Sequence, residues 1–100
     1  MAEKTIIIIP VRWGSSRFPG KPLVLISGKT MLLRVFQIAK ACFEADDVFI
    51  ATDDERIQNH AKEIGAKSII TSATCRNGTE RVLEAARQIG HLGTVINLQG

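Results

Sequence analysis

Apolar positions along this chain fall into short runs, and the period of those runs alternates between two patterns. Residues 4–9 carry a continuous isoleucine run, as expected for a parallel strand buried on both faces. Residues 23–26 are apolar but short, lying between Pro22 and Ser27-Gly28, and fit either a stub of strand or a loop packed on the core. From Met31 the spacing turns helical, with Leu32, Val35, Phe36, Ala39, Cys42 and Phe43 on one broad face and Thr30 placed to cap the helix. Strands are predicted again over 48–52, 67–71 and 94–98. Between them lie two further helices. One carries Ile57, Ala61 and Ile64 and closes at Gly65; the other carries Val82, Ala86 and Ile89 and closes at Gly90. Thr52 with Glu55, and Asn77 with Glu80, have the spacing of capping boxes for these two helices.

A strand–loop–helix alternation of this kind predicts an α/β fold, a mostly parallel sheet with helices on both faces. Right-handed crossovers then bring the 10–22 loop, the 52–54 turn, the 72–81 loop and the 97–100 end to one rim, where open α/β sheets bind ligands.

Two of these rim segments carry candidate chemistry. The first is Val11-Arg12-Trp13-Gly14-Ser15-Ser16-Arg17-Phe18-Pro19-Gly20-Lys21-Pro22, directly after the first strand. Gly14 and Gly20 allow the backbone close to a ligand, and Pro19 and Pro22 restrict the bends available to it. Arg12 and Arg17 offer planar forks for phosphate oxygens, and Lys21 a point charge. A polyphosphate cradle is the predicted role, against the plainer reading of a surface loop with solvated cations. A P-loop is excluded, because the gap from Gly14 to Gly20 is one residue too long and Pro22 stands where Ser or Thr is needed. A dinucleotide fingerprint is excluded by the lack of its glycine pattern.

The second segment, Ser72 to Arg81, is small, polar and basic and runs into a helix. The amides of that helix start, beside Arg76 and Arg81, form a candidate anion or base-edge site that Gly78 lets a ligand approach. Asp53 has two readings: a negative charge in a helix first turn, or a residue that organises the site. Cys75 has no histidine nearby in sequence to activate it as a nucleophile, Cys42 fills an apolar stripe, and His60 reads as a surface histidine.

Composition narrows the picture. A chain of 100 residues makes one small domain or part of one, so residues 1–100 are read as a single unit. No apolar stretch reaches membrane-span length, and the start lacks the features of a signal peptide. Two cysteines suggest a reducing, cytoplasmic setting without a disulfide framework. The net charge of +3 is clustered in the two rim segments and lacks interleaved aromatics, which argues for a local anion site and against nucleic acid.

Four blocks carry a family resemblance: residues 9–23, Ala51-Thr52-Asp53-Asp54, Asn77-Gly78-Thr79-Glu80-Arg81 and Asn97-Leu98-Gln99-Gly100. Together, over residues 6–100 and in family order, they resemble the 3-deoxy-manno-octulosonate (Kdo) cytidylyltransferases, or CMP-Kdo synthetases. The resemblance implies a three-layer α/β/α Rossmann-like nucleotidyltransferase fold. It implies transfer of CMP from CTP to Kdo with release of pyrophosphate, Mg²⁺ as cofactor, a role in lipopolysaccharide biosynthesis, and a homodimer without membrane insertion. Arg12, Gly14, Ser15, Arg17 and Lys21 match the loop that holds the triphosphate, with Arg17 and Lys21 the implied catalytic cations. Asp53, Asn77, Gly78 and Arg81 match the nucleotide pocket, and Gln99 the position beside nucleotide and sugar. The family's metal aspartate would come just after Gly100, so the chain reads as a truncated N-terminal fragment, nearly inactive alone. Many members have His and Ser where this chain has Cys75 and Asn77, a substitution that reads as a subfamily variant and bears on base and acceptor recognition. Two rival readings are a cytidylyltransferase for another acidic sugar, and a nucleotide-binding domain without transfer chemistry.

Overall fold

The computed structural model describes residues 4–13, 25–26, 28–41, 45–91 and 93–98. The described residues form β1 (Thr5–Pro10), β2 (Leu25–Ile26), β3 (Lys29–Thr30), α1 (Met31–Lys40), β4 (Asp47–Thr52), α2 (Glu55–Glu63), β5 (Lys67–Ile70), α3 (Gly78–Gln88) and β6 (Thr94–Asn97). The main sheet has the order β5-β4-β1-β6, and every pairing in it is parallel. β2 and β3 form a separate antiparallel hairpin, which resolves the short apolar run at 23–26 in favour of strand for Leu25 and Ile26.

The sheet is covered on both faces, and β1 supplies side chains to each. Ile7 and Ile9 pack with Val48 and Ile50 of β4 and with Leu32, Phe36, Ile57 and Ala61 of α1 and α2. Ile6 and Ile8 point the other way, into a cluster with Ala51, Ile69 and α3 residues Val82 and Ala85. Successive strand residues face opposite sides, so two covered faces demand an unbroken apolar strand, and the isoleucine run supplies it. The result is the three-layer α/β/α arrangement expected from the sequence.

Local chemistry sets the helix ends. Thr30 caps α1 as predicted, its side chain accepting from the Leu33 amide at 3.0 Å. α2 and α3 stop in the same way. The Gly65 and Gly90 amides donate to the carbonyls of Lys62 and Arg87, and the following Ala66 and His91 amides donate to Ala61 and Ala86. This double closure requires a left-handed residue, and φ is 78° at Gly65 and 66° at Gly90. The Thr52–Glu55 capping box does not form. Asp54 caps α2 instead, accepting from the Arg56 amide at 2.8 Å, while Thr52 Oγ1 accepts from the Asp54 amide at 3.2 Å. Thr52 is held at the end of β4 by its ladder and is fully buried, so it is too early in the chain to cap the helix. The Asn77–Glu80 box forms in half. Asn77 accepts from the Glu80 amide at 2.9 Å, but the Glu80 carboxylate takes the Arg76 amide at 3.0 Å. His60 is not a plain surface histidine: it is half-buried, and its Nε2 lies 2.7 Å from Thr30 Oγ1, tying α2 to the α1 cap.

Ile8 and Ile96 provide a test of where the fold's stability resides. Ile8 is wholly buried in the central strand and Ile96 is 36% exposed on edge strand β6. Ile8→Ala should cost roughly 2–5 kcal/mol by urea denaturation, whereas Ile96→Ala should cost less than about 1 kcal/mol.

Candidate functional site

Parallel pairing puts the carboxyl ends of β1, β4, β5 and β6 on one rim, and the ladder runs one residue beyond the strands. Val11 donates to Ala51 at 2.9 Å, Thr71 to Thr52 at 2.9 Å and Leu98 to Ile8 at 3.2 Å. These bonds bring the segments beginning at Arg12, Asp53, Ser72 and Leu98 side by side. The sheet's order reverses at β1, which has β4 on one side and β6 on the other, and such a switch point opens a crevice at the strand ends.

On the β1–β4 side, Arg12 is exposed and Trp13 is half-buried against the α1/α2 core. The Arg56 guanidinium stacks on the Trp13 ring, 3.4 Å from its centroid. The same guanidinium grips the Asp54 carboxylate through Nη2 at 2.7 Å and Nε at 3.1 Å. Asp54 is therefore a cap, an ion-pair partner and, through Arg56, a tether for the β1 exit. The Arg56 guanidinium holds the Asp54 carboxyl below its ordinary range, and the Arg56 backbone amide adds to the effect. No motif in the sequence marks this trio. The only local sign of it was an arginine two residues after the aspartate at a helix start.

Asp53, adjacent, has no capping duty and lies outside α2. Its carboxylate faces Arg81, whose Nη1 is 3.7 Å away. Arg81 is 1% exposed, and Nη1 also donates to Thr71 Oγ1 at 2.5 Å and to the Ser72 carbonyl at 3.5 Å. Arg76 is highly exposed and its guanidinium pairs with Glu80 at 2.9 Å. Asn77 and Gly78 begin α3 on the same rim.

The 71–77 loop is laced to α3 by Glu84, another residue that no sequence motif marks. Its Oε2 accepts from the Ser72 amide at 2.6 Å and from Gln88 at 3.1 Å, and its Oε1 lies 3.7 Å from Cys75 Sγ. Glu80, Glu84 and Gln88 repeat every four residues, a polar stripe that could have signalled a helix face turned toward a loop. Thr74, Cys75, Glu80, Leu83, Glu84 and Arg87 line an open groove of about 310 Å³. Burial, and then the Glu84 charge, push the Cys75 thiol up, so it is held protonated and is a poor nucleophile.

Of the sequence-predicted site residues, Arg12, Asp53, Asn77, Gly78 and Arg81 are described and share this rim. Gly14, Ser15, Arg17, Lys21 and Gln99 lie outside the described residues, as do Cys42 and Phe43 of the predicted helix face. Among the described residues no group of three or more His, Cys, Asp or Glu side chains could hold a metal ion. Both Asp54 oxygens are held by Arg56, and Asp53 Oδ1 faces Arg81 at 3.7 Å.

The family model for cytidylyltransferases matches residues 6–100. The chain belongs to the cytidylyltransferase family. It is 48% identical over 99 residues to the 3-deoxy-manno-octulosonate cytidylyltransferase of Desulfatibacillum aliphaticivorans, covering 97% of this chain and 40% of that protein. It is 46% identical over 96 residues to an 8-amino-3,8-dideoxy-manno-octulosonate cytidylyltransferase of Shewanella halifaxensis, covering 94% of this chain and 39% of that protein. Among solved structures it superposes on a CMP:2-keto-3-deoxy-manno-octonic acid synthetase complexed with CTP. That match has a TM-score of 0.89 and 38% identity, over 97% of this chain and 40% of the other. A cytidylyltransferase from Leptospira borgpetersenii gives a TM-score of 0.77 at 26% identity, over 97% of this chain and 41% of the other. The resemblance to CMP-Kdo synthetases carried by the four sequence blocks therefore holds for fold and family. This cytidylyltransferase chain spans about 40% of the length of the relatives it matches.

Two outcomes follow from the site's electrostatics. Asp54 and Glu80 are both lowered, chiefly through Arg56 and Arg76. A depressed folded-state value means that their stabilisation is full above the ordinary carboxylate range and is lost as pH falls through the lowered values. Asp54→Asn keeps a capping side chain but loses the charge, so urea midpoints followed into the acid limb should fall less steeply for this variant than for wild type. Cys75 should alkylate with iodoacetamide more slowly than a free thiol at neutral pH, and Glu84→Gln should speed it by removing the charge that disfavours the thiolate.

Proposed function

We propose that the intact natural protein transfers CMP from CTP to Kdo, giving CMP-Kdo and pyrophosphate for lipopolysaccharide biosynthesis. The observation that carries this reading is the superposition of the chain on a synthetase complexed with CTP, with Val11, Arg12 and Trp13 leaving the central strand at the switch point. In this reading the Kdo anomeric hydroxyl attacks the α-phosphorus in line and pyrophosphate departs. Negative charge grows on the phosphoryl oxygens, so the protein's task is positioning and cationic neutralisation. Arg17 and Lys21 neutralise that charge, and Arg12 orients the triphosphate with the Gly14 and Ser15 backbone. Asp53, Asn77, Gly78, Arg81 and Gln99 belong to the nucleotide pocket. Mg²⁺, when bound, would shield the triphosphate charge; its expected ligand is the aspartate that follows the Gln99-Gly100 pair in the family, not a described side chain. Cytoplasmic location and a homodimer belong to the same reading; among the described residues no helix is long and apolar enough to cross a membrane.

One observation admits a second acceptor. The identities to Kdo enzymes and to 8-amino enzymes differ little, at 48% and 46%, so this part of the chain does not separate the two sugars. They differ at C8, where an amine replaces a hydroxyl, and that atom is far from the phosphoryl chemistry.

Pyrophosphate release by the intact protein, given CTP, Mg²⁺ and each sugar in turn, tests both readings. Release should require CTP and one octulosonate, and Lys21→Ala should lower kcat/KM by about 10²–10³-fold, the usual cost of removing one charge-stabilising donor. Release with the 8-amino sugar alone would transfer the assignment to that acceptor, and release with neither would end it.

A further inference from the structure

Arg81 sits at the fourth position of α3, where a cation opposes the positive end of the helix dipole. A side chain so placed needs compensation from elsewhere, and the structure provides it on two sides. Nη1 reaches the Asp53 carboxylate of the β4–α2 turn at 3.7 Å, Thr71 Oγ1 at the end of β5 and the Ser72 carbonyl. The backbone of the same residue donates to the Asn77 carbonyl at 3.2 Å. Ser72 and Asn77 are the two ends of the second rim loop. The bond to Asn77 is the ordinary first turn of the helix, and the guanidinium ties the start of that loop, and α3 with it, to the neighbouring turn. Glu84 secures the Ser72 amide at 2.6 Å, so the loop's first residue is fixed on its donor and its acceptor side. At 1% exposure, with Nε buried and without a hydrogen-bond partner among the described residues, the guanidinium presents no surface to a ligand.

We propose that Arg81 is a positioning residue that acts on the nucleotide pocket through Asp53, Thr71 and Ser72 and does not itself touch the nucleotide. The proposal rests on the reading of this rim as a CTP site. Its content is that the guanidinium fixes the spacing between the β4–α2 turn and the start of α3, and so pre-organises the Asn77–Gly78 corner before any ligand arrives.

Two measurements on the intact natural protein decide it: amide hydrogen exchange without nucleotide, and CTP affinity by calorimetry at a temperature where every variant is folded. In Arg81→Met, exchange at residues 52–54 and 71–77 should rise by about tenfold in the nucleotide-free protein, because the lock between the two segments is gone. CTP affinity should fall by about tenfold, because the pocket then has to be ordered on binding. Weaker CTP binding with unchanged exchange in the free protein would mean a direct contact and would overturn the proposal. Faster exchange with unchanged CTP affinity would mean a merely structural role and would also overturn it. If Arg81→Met does not fold, Arg81→Lys takes its place: one point charge cannot reach all three acceptors, so both readouts should move the same way by a smaller factor. Failure of wild type to bind CTP would defeat the nucleotide reading itself, a result distinct from either failure of the variant.

Discussion

β1 is hydrogen-bonded on both edges and covered on both faces, and the remaining geometry depends on that condition. Its register with β4 and β6 fixes where those strands end, and the alternation of Ile6 and Ile8 against Ile7 and Ile9 fixes which helices lie on which side. Register tolerates no slip here, since a shift of one residue would exchange the side chains between two differently shaped cores. Because all neighbours are parallel, fixing β1 also brings the rim segments together at one end of the sheet. The candidate site is a consequence of how the central strand is buried.

The rim is rich in arginine, yet most of the described cations there are committed to the protein. Arg56 serves Asp54 and Trp13, Arg76 serves Glu80, and Arg81 serves Asp53, Thr71 and Ser72. Arg12 is exposed and has no ion pair among the described residues, which suits it to an anionic ligand. A count of basic residues therefore overstates the charge available to a substrate. The distinction is one of neighbours: a carboxylate within reach turns a potential phosphate ligand into a strut, and a buried guanidinium deprived of its partners would be costly.

Much of the fold was legible because it rests on local rules. Continuous apolar runs mark the strands and a 3.6-residue spacing the helices, and Thr30, Gly65 and Gly90 act through bonds within a few residues, so their roles can be read directly. The expected capping boxes failed in whole or part where a competitor stood one or two positions away. Asp54 outranked Thr52, whose own side chain was already buried at a strand end, and Arg76 took the acceptor that Asn77 would have used. His60 was misjudged because its partner, Thr30, lies on another helix cap.

The sequence by itself determined the layer architecture, the strand ends that meet at the rim, and the family, since apolar period, turn residues and four ordered blocks are all properties of the linear chain. Tertiary structure alone decided which carboxylate meets which arginine. Asp53 and Asp54 are neighbours with the same side chain, yet one caps α2 and binds Arg56 while the other faces Arg81. No pattern in sequence separates them, because the difference lies in direction: one carboxylate turns back onto its own helix start, and the other crosses to a partner on a different layer of the fold.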